Sequence, residues 1–365
     1  MTGGAGGGPA GRSGARPHLL DLPPAGIEET LQRWLGERGE PRYRAEQIFD
    51  HLRGERATDL RGVSNLPGEL STALRRSLLR EPLALEEVMR SGDGTRKYRF
   101  RLEDGAGIES VWIPSGARGT LCISSQAGCP AGCTFCATGA SGFRRNLRPS
   151  EIVGQWLQVR AELCREGAGA VTQVVYMGMG EPLYNYAAVA ISMEVLTAPG
   201  LFRMSPRRLT VSTVGIPPRM VELAGRFPQA RIALSLHSAR DRTRSAIVPV
   251  NRRYPVEALR ETLLAIADST RRVTLECVIL AGVNDSPEEA RALARFARGS
   301  AGHVNLLPFH PHEGSIYRPP RRSGLRAFRK EILREYPGRV TIRRSRGLDI
   351  DGACGQLALN GTPRP

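Results

Sequence analysis

The chain has 365 residues, long enough for a full catalytic domain plus a smaller one, and its 41% apolar and 5% aromatic content suits an ordinary soluble protein. No apolar run approaches the roughly 20 residues of a membrane-crossing helix. Seven cysteines, an odd count with three in one short loop, exclude a disulfide framework and fit a reducing cytosol. The formal net charge is +16, with arginine far commoner than lysine. Genome composition accounts for part of that arginine, but the excess over acidic residues makes nucleic acid the leading partner class.

Residues 1–17 are mostly Gly, Ala, Ser and Arg, lack the apolar stretch of a signal peptide and read as a disordered tail. Apolar spacing then predicts a helix over Ile27–Leu35, a second opening at Arg42, and a third starting at Leu66-Pro67-Gly68 and running to Leu79. Together residues 18–95 form a small N-terminal helical accessory domain whose rim, with Arg75, Arg76 and Arg80, suits RNA contact. Alternation over Lys97–Leu102 and Ile108–Ile113, around Asp104-Gly105, reads as a β-hairpin linking residues 96–114. Glu109 sits mid-strand there; taken alone it is an exposed strand residue.

From Thr120 onward, strand and helix patterns alternate. Strands are expected at Thr120–Ser124, Val171–Met177, Leu209–Val214, Ile232–Leu236, Val273–Leu280 and Val304–Leu307. Helices are expected at Glu151–Cys164, Val256–Ala267, Pro287–Ala297 and Leu325–Glu335. Six βα units imply a parallel sheet with helices outside; six is short of the eight of a closed barrel, so residues 115–346 read as an open, partial (βα)6 barrel of the α/β class. Residues 347–365 form a separate C-terminal segment. Gly and polar residues follow each strand, as in Gly178-Met179-Gly180-Glu181, Ser235-Leu236-His237 and Phe309-His310. That is the face on which parallel α/β folds bind ligands.

Cys129, Cys133 and Cys136 follow the first of these strands. Their gaps lack the second pair or added His of a structural zinc site. Iron–sulfur cubes take cysteine thiolates, usually four, so three would leave one iron open to a further ligand. Three buried structural cysteines remain the bland alternative. Gly180 lets backbone approach a ligand, and Glu181 offers a carboxylate to a cation.

The CxxxCxxC loop, with Phe135 before its last cysteine, resembles the radical S-adenosylmethionine (SAM) superfamily. Its flanks, Leu121-Cys122-Ile123-Ser124-Ser125-Gln126 and Phe143-Arg144-Arg145-Asn146-Leu147, resemble the adenine carbon-2 RNA methyltransferases, as does Asp349-Ile350-Asp351-Gly352-Ala353-Cys354-Gly355-Gln356-Leu357. The resemblance covers residues 25–360.

It implies a radical-SAM barrel holding a [4Fe-4S] cluster on Cys129, Cys133 and Cys136. SAM, used twice per turnover, would be held by Gly180, Glu181, Ser212, Ser235, Leu236, His237 and His310. At residue 310 the family has Asn. Cys354 would take a methyl from one SAM and present it for radical attack on the base. Cys122 would then release the product as a transient disulfide forms, with Glu109, 13 residues before Cys122, in the family's proton-acceptor position and Cys122 itself the alternative for that step.

The implied substrates are the peptidyl-transferase-centre adenosine of 23S rRNA and, in many members, the adenosine 3′ to the tRNA anticodon. A flavodoxin or ferredoxin would donate electrons to a monomer with no membrane association. Arg144, Arg145, Arg252, Arg253, Arg318, Arg321 and Arg322 are candidate phosphate contacts. A sister group methylates carbon 8 of the same rRNA adenosine and tends to carry Ala after Gly-Met-Gly-Glu; Pro182 here favours carbon 2. From other classes, a glycyl-radical activating enzyme would not need Cys354, and a non-catalytic zinc-dependent RNA-binding protein would not need the strand-end residues.

Overall fold

The computed structural model describes residues 18–54, 66–269 and 273–358. The tail expected over residues 1–17, and the C-terminal segment beyond residue 358, lie outside the described residues.

Three helices, Pro24–Gly36, Tyr43–Arg53 and Gly68–Ser77, open the chain. The first starts where Pro24, which has no N–H to satisfy, occupies the opening turn. It buries Ile27, Leu31, Trp34 and Leu35, one stripe at helical spacing. This layer shares one continuous apolar core with the sheet and helices that follow. It is also tied to them by polar contacts. The Ser150 N–H donates to Asp21 Oδ1 (2.9 Å), and Arg53 Nη1 donates to the Gly200 carbonyl (2.9 Å).

Among the described residues, the main sheet has ten strands in one open order. Strands β1 (Leu83–Arg90), β2 (Arg96–Leu102), β3 (Gly107–Ser115) and β4 (Arg118–Ile123) pair antiparallel in sequence. The β2–β3 turn carries Gly105 at φ 80°, a conformation that Gly adopts without penalty. A separate two-stranded ribbon joins β5 (Gln126–Gly128) and β6 (Phe143–Asn146). The sheet then continues in parallel from β4 through β7 (Ala170–Tyr176), β8 (Leu209–Thr213), β9 (Arg231–Ser235), β10 (Thr274–Ile279) and β11 (His303–Pro308) to β12 (Arg339–Ile342). The intervening helices include Pro149–Glu166, Val256–Ala265, Pro287–Ala297 and Arg322–Glu335.

The chain is therefore the expected α/β partial barrel of six βα units, with β12 added beyond the sixth helix. Its hairpin strands are the second and third strands of the same sheet.

Two strands of the main sheet gave no sequence signal, and neither did the ribbon strands β5 and β6. β1, Leu-Ala-Leu-Glu-Glu-Val-Met-Arg, is an edge strand with one fully buried residue, Leu83, and helix-favouring composition. β12 has four residues and buries only Val340, too little for a period-two pattern.

Candidate active site

The carboxyl ends of β4 and β7–β11 open on one face, and the cysteine loop lies across it. The loop leaves the short ribbon through Gly128, at φ 76°, where a Cβ would stand 1.9 Å from the Gly142 carbonyl oxygen; no side chain fits. The Cys129 N–H donates to that same carbonyl (2.9 Å), and the Thr134 N–H donates to the Ile247 carbonyl (3.0 Å). Thr134 Oγ1 meets Tyr317 Oη at 2.7 Å. The loop is thus pinned from three sides before any ligand is considered.

Cys129, Cys133 and Cys136 line one cavity together with Gly180, Glu181, Ser212, Ser235 and His237. Burial pushes the Cys129 thiol up to about 12 and raises those of Cys133 and Cys136, whose neighbouring sulfurs add to the effect for Cys133. Thiols in that state bind metal by giving up protons. A cube takes one thiolate at each of three corners and leaves the fourth iron open, and three thiols are what this cavity wall offers. The donor set fits a [4Fe-4S] cluster.

Glu181 follows Gly180, whose φ is 100° and where a Cβ would lie 2.6 Å from Gln126 Cβ. Burial raises its carboxyl to about 7, opposed by the N–H groups of Val214 (2.8 Å, to Oε2) and Leu183 (3.0 Å, to Oε1). A buried carboxylate on a cavity wall suits an amino group. Ser212 Oγ and Ser235 Oγ lie 3.1 Å apart on adjacent strands. His237, at φ 61°, receives the Val278 N–H on Nδ1 (3.1 Å) and packs edge-on against Phe135 at 4.7 Å. Burial lowers its pKa to about 3, so it is a neutral imidazole. Leu236 does not line this cavity; it is fully buried in the core.

A second cavity adjoins the first, and Met177, Val278, Leu307, Arg343, Cys354 and Leu357 line both. It holds Cys122 and His310. His310, expected beside SAM, is therefore placed on the Cys122 side, with Nε2 at 2.5 Å from Ser345 Oγ. Cys122 is buried and its thiol is pushed up to about 12 by desolvation and by the neighbouring Cys354 sulfur. Cys354 is exposed on the shared wall.

The C-terminal segment reaches this wall by bonding to the cysteine loop. The Ala137 N–H donates to the Gly355 carbonyl (2.8 Å), and Thr138 Oγ1 donates to the Leu357 carbonyl (2.6 Å). Two cysteine motifs more than two hundred positions apart in the chain thus meet at one wall.

Glu109 is not the exposed strand residue that its position alone suggests; it is 2% exposed and ion-paired with Lys97. It lines neither cavity, but Val111, two residues on and on the same strand face, lines the second. Arg145 is likewise committed inside the protein, with both Asp104 (2.6 Å) and Glu151 (2.8 Å), and is not a free phosphate contact.

Sequence reasoning missed Lys97, Arg343 and Gln126. Gln126 Oε1 accepts the Glu181 N–H (2.8 Å) and so fixes the Gly180–Glu181 turn. Its place in the Cys122 flank was the one available signal.

A relative from Gemmatimonas aurantiaca, named a probable dual-specificity RNA methyltransferase RlmN, is 44% identical over 341 residues, 93% of each chain. The chain belongs to the RlmN family of radical-SAM RNA methyltransferases. A Sorangium cellulosum relative, named a dual-specificity RNA methyltransferase RlmN, is 41% identical and covers 93% of this chain and 96% of its own length. The Radical SAM superfamily profile matches residues 123–296. The crystal structure of a radical SAM methyltransferase from Sphaerobacter thermophilus superposes with a TM-score of 0.87 at 41% identity, over 93% of this chain and 98% of that one. The family uses a [4Fe-4S] cluster and SAM, in agreement with the donor set above. Among the described residues, no helix is long and apolar enough to cross a membrane.

Proposed function

We propose that this chain methylates carbon 2 of adenosine, in 23S rRNA and at the position 3′ to the anticodon in tRNAs, through a methyl group carried on Cys354. The observation that carries the reading is the shared wall. Cys354 faces the cavity of the three thiols on one side and the cavity of Cys122 on the other.

Carbon 2 lies between two ring nitrogens and is electron-poor, so it does not attack a sulfonium methyl as an amine would. When bound, the cluster and SAM supply radical chemistry that no side chain offers. The protein's own groups have separate tasks. Cys129, Cys133 and Cys136 would hold the cluster. Gly180 brings backbone close to SAM, and Glu181 receives its amino group. Cys354, as thiolate, accepts the methyl. Cys122 attacks the Cys354 sulfur to free the finished base, leaving a disulfide that a cellular thiol reduces. Glu109 takes the proton that leaves the base. Pro182, buried at the start of the turn after Glu181, favours carbon 2 over carbon 8.

The base has to leave its stack to reach this wall, so unfolded or partly folded RNA is the expected substrate. An electron donor of the flavodoxin or ferredoxin type, a monomeric state and a cytosolic setting complete the reading.

Mass spectrometry of ribosomal RNA from a strain lacking the gene tests the reading. Loss of 2-methyladenosine supports it. Unchanged carbon-2 methylation with loss of 8-methyladenosine gives the chain the sister activity instead.

A further inference from the structure

Arg343 stands where the two thiols meet, and no cysteine or SAM motif includes it. It follows β12, and its N–H donates to the Leu306 carbonyl (2.9 Å), which continues the sheet register by one residue. Successive strand residues alternate faces, so Arg343 points the same way as Thr341. That face is fixed by a rung of side chains across three strands. Asn305 Nδ2 donates to Glu276 Oε2 (2.9 Å), Thr341 Oγ1 donates to Asn305 Oδ1 (2.9 Å), and His303 Nε2 meets Thr341 Oγ1 (2.7 Å). The register pairs Glu276 with Asn305 and Asn305 with Thr341, so the rung is built into the fold.

The guanidinium therefore lies on the wall between the cavities, with Nη1 3.5 Å from Cys354 Sγ. Glu276 on β10 and Cys122 on β4, the latter only when ionised, are its other acidic neighbours. Around Cys122, Cys354 disfavours the thiolate and Arg343 is the cation that favours it. Cys354 is faced by Arg343, by Cys122 and, from the cysteine loop, by Cys136.

We propose that Arg343 is a positioning residue shared by both thiols, holding the Cys354 sulfur as methyl acceptor and then serving as counter-charge for the Cys122 sulfur at product release. The inference rests on the two-thiol reading above. In the first step a C–S bond forms to the Cys354 sulfur, the donor's sulfonium C–S bond breaks, and its electron pair leaves on neutral S-adenosylhomocysteine. In the last step an S–S bond forms between Cys122 and Cys354. The Cys354 C–S bond breaks, and its electron pair goes to the departing carbon, which takes up a proton. Each step consumes an anionic sulfur. The first leaves Cys354 a neutral thioether, so the cation is then free to pair with Cys122. A guanidinium suits this because it stays charged throughout and donates from several N–H groups in one plane.

The test reads the thiols directly. Anaerobically purified holoenzyme is treated with iodoacetamide at neutral pH, and the rate of alkylation at Cys354 is followed by peptide mass spectrometry. Losing the guanidinium that stands 3.5 Å from the sulfur is expected to slow alkylation at Cys354 severalfold in Arg343→Ala. Arg343→Lys should recover most of the rate, and added guanidinium ion should recover part of it in Arg343→Ala. A purely structural role predicts neither recovery. If the alanine variant does not fold, Arg343→Gln, close in length and uncharged, carries the same expectation. For Cys122, the covalent protein–RNA adduct should persist longer in Arg343→Gln than in the wild type.

Unchanged Cys354 alkylation in the alanine and glutamine variants overturns the inference, and adduct release at the wild-type rate overturns the shared role. Alkylation does not depend on RNA. A chain that methylates no adenosine yet shows the alkylation loss retains Arg343's role and loses the proposed reaction.

Discussion

Lys97 and Glu109 form a buried ion pair across β2 and β3, with Nζ 3.4 Å from Oε1 and both side chains at most 5% exposed. The other carboxylate oxygen, Oε2, is buried with no hydrogen-bond partner. The sheet register explains the placement. Lys97 pairs with Val111, and Val111 pairs with Cys122, so the three lie in one cross-strand row with Glu109 one step along the same face. A lysine, a carboxylate with one free oxygen and a thiol thus share one surface of the sheet.

The pair sets a pH dependence. Burial raises the Glu109 carboxyl above its ordinary 4.5, and Lys97 is the largest effect opposing that rise. A base has to be ionised, so release of product should fail as pH drops through this raised value, above the usual carboxylate range. Lys97→Met removes the opposing charge and should move the acidic limb up by about one unit or more. Lys97→Arg should leave it nearly in place. Single-turnover product release measured from pH 5 to 9 checks this, and an unmoved limb in Lys97→Met separates Glu109 from the proton transfer.

Gly180→Ala should abolish SAM binding. Its Cβ would lie 2.6 Å from Gln126 Cβ and 2.8 Å from the Gln126 backbone nitrogen, at a φ of 100° that side chains rarely adopt. Relief requires the Gly180–Glu181 turn to shift, and with it the carboxylate. Equilibrium dialysis of labelled SAM against the anaerobic holoenzyme reads the loss; wild-type affinity would place SAM elsewhere.

Glu181→Gln should weaken SAM binding by about tenfold to a hundredfold, the range for a lost charge-assisted hydrogen bond. The amide also has one acceptor oxygen where the carboxylate receives two backbone N–H groups, from Val214 and Leu183. The same dialysis measures it. Loss of iron as well would mean that the change disturbs the cysteine loop and not SAM alone.

His18 predicts a stability effect far from the site. Its Nδ1 accepts the Leu20 N–H (3.0 Å) and its Nε2 meets the Arg80 carbonyl (2.8 Å), which together require the neutral ring. Burial lowers its pKa from 6.5 to about 4. The protonated ring favours the unfolded chain, so the stability it contributes is present above pH 6.5 and lost as pH falls toward 4. The full loss is on the order of 3 kcal/mol. Thermal melts at pH 7.5 and 5 should show a smaller drop in His18→Gln than in the wild type; equal drops would remove His18 from the account.

What was legible in the sequence follows from how strongly each feature constrains the chain locally. The six parallel strands after Thr120 are apolar because helices cover them, so their runs stand out between amphipathic segments. The three thiols and the Gly180–Glu181 turn lie in short contiguous motifs. Arg343 and Lys97 were invisible for the opposite reason. Each is one cation among many, Arg343 within an Arg-Arg-Ser-Arg run, and its role depends on register between strands distant in sequence. Glu109 was assigned a role through family likeness, whereas its burial depends on Lys97 and on the strand pairing that hides both. His310 follows the expected strand, and its ring lines the Cys122 cavity, which no local pattern could have foretold.

The fate of Cys122→Ala on RNA decides whether two thiols share the reaction. With the methyl-carrying thiol intact and its releasing partner gone, the protein should accumulate covalently bound to RNA through Cys354, as a slow-migrating band that mass spectrometry maps to that residue. Cys122→Ala/Cys354→Ala should give no such band. Normal turnover by Cys122→Ala, with free methylated RNA and no adduct, would rule out release by a second thiol.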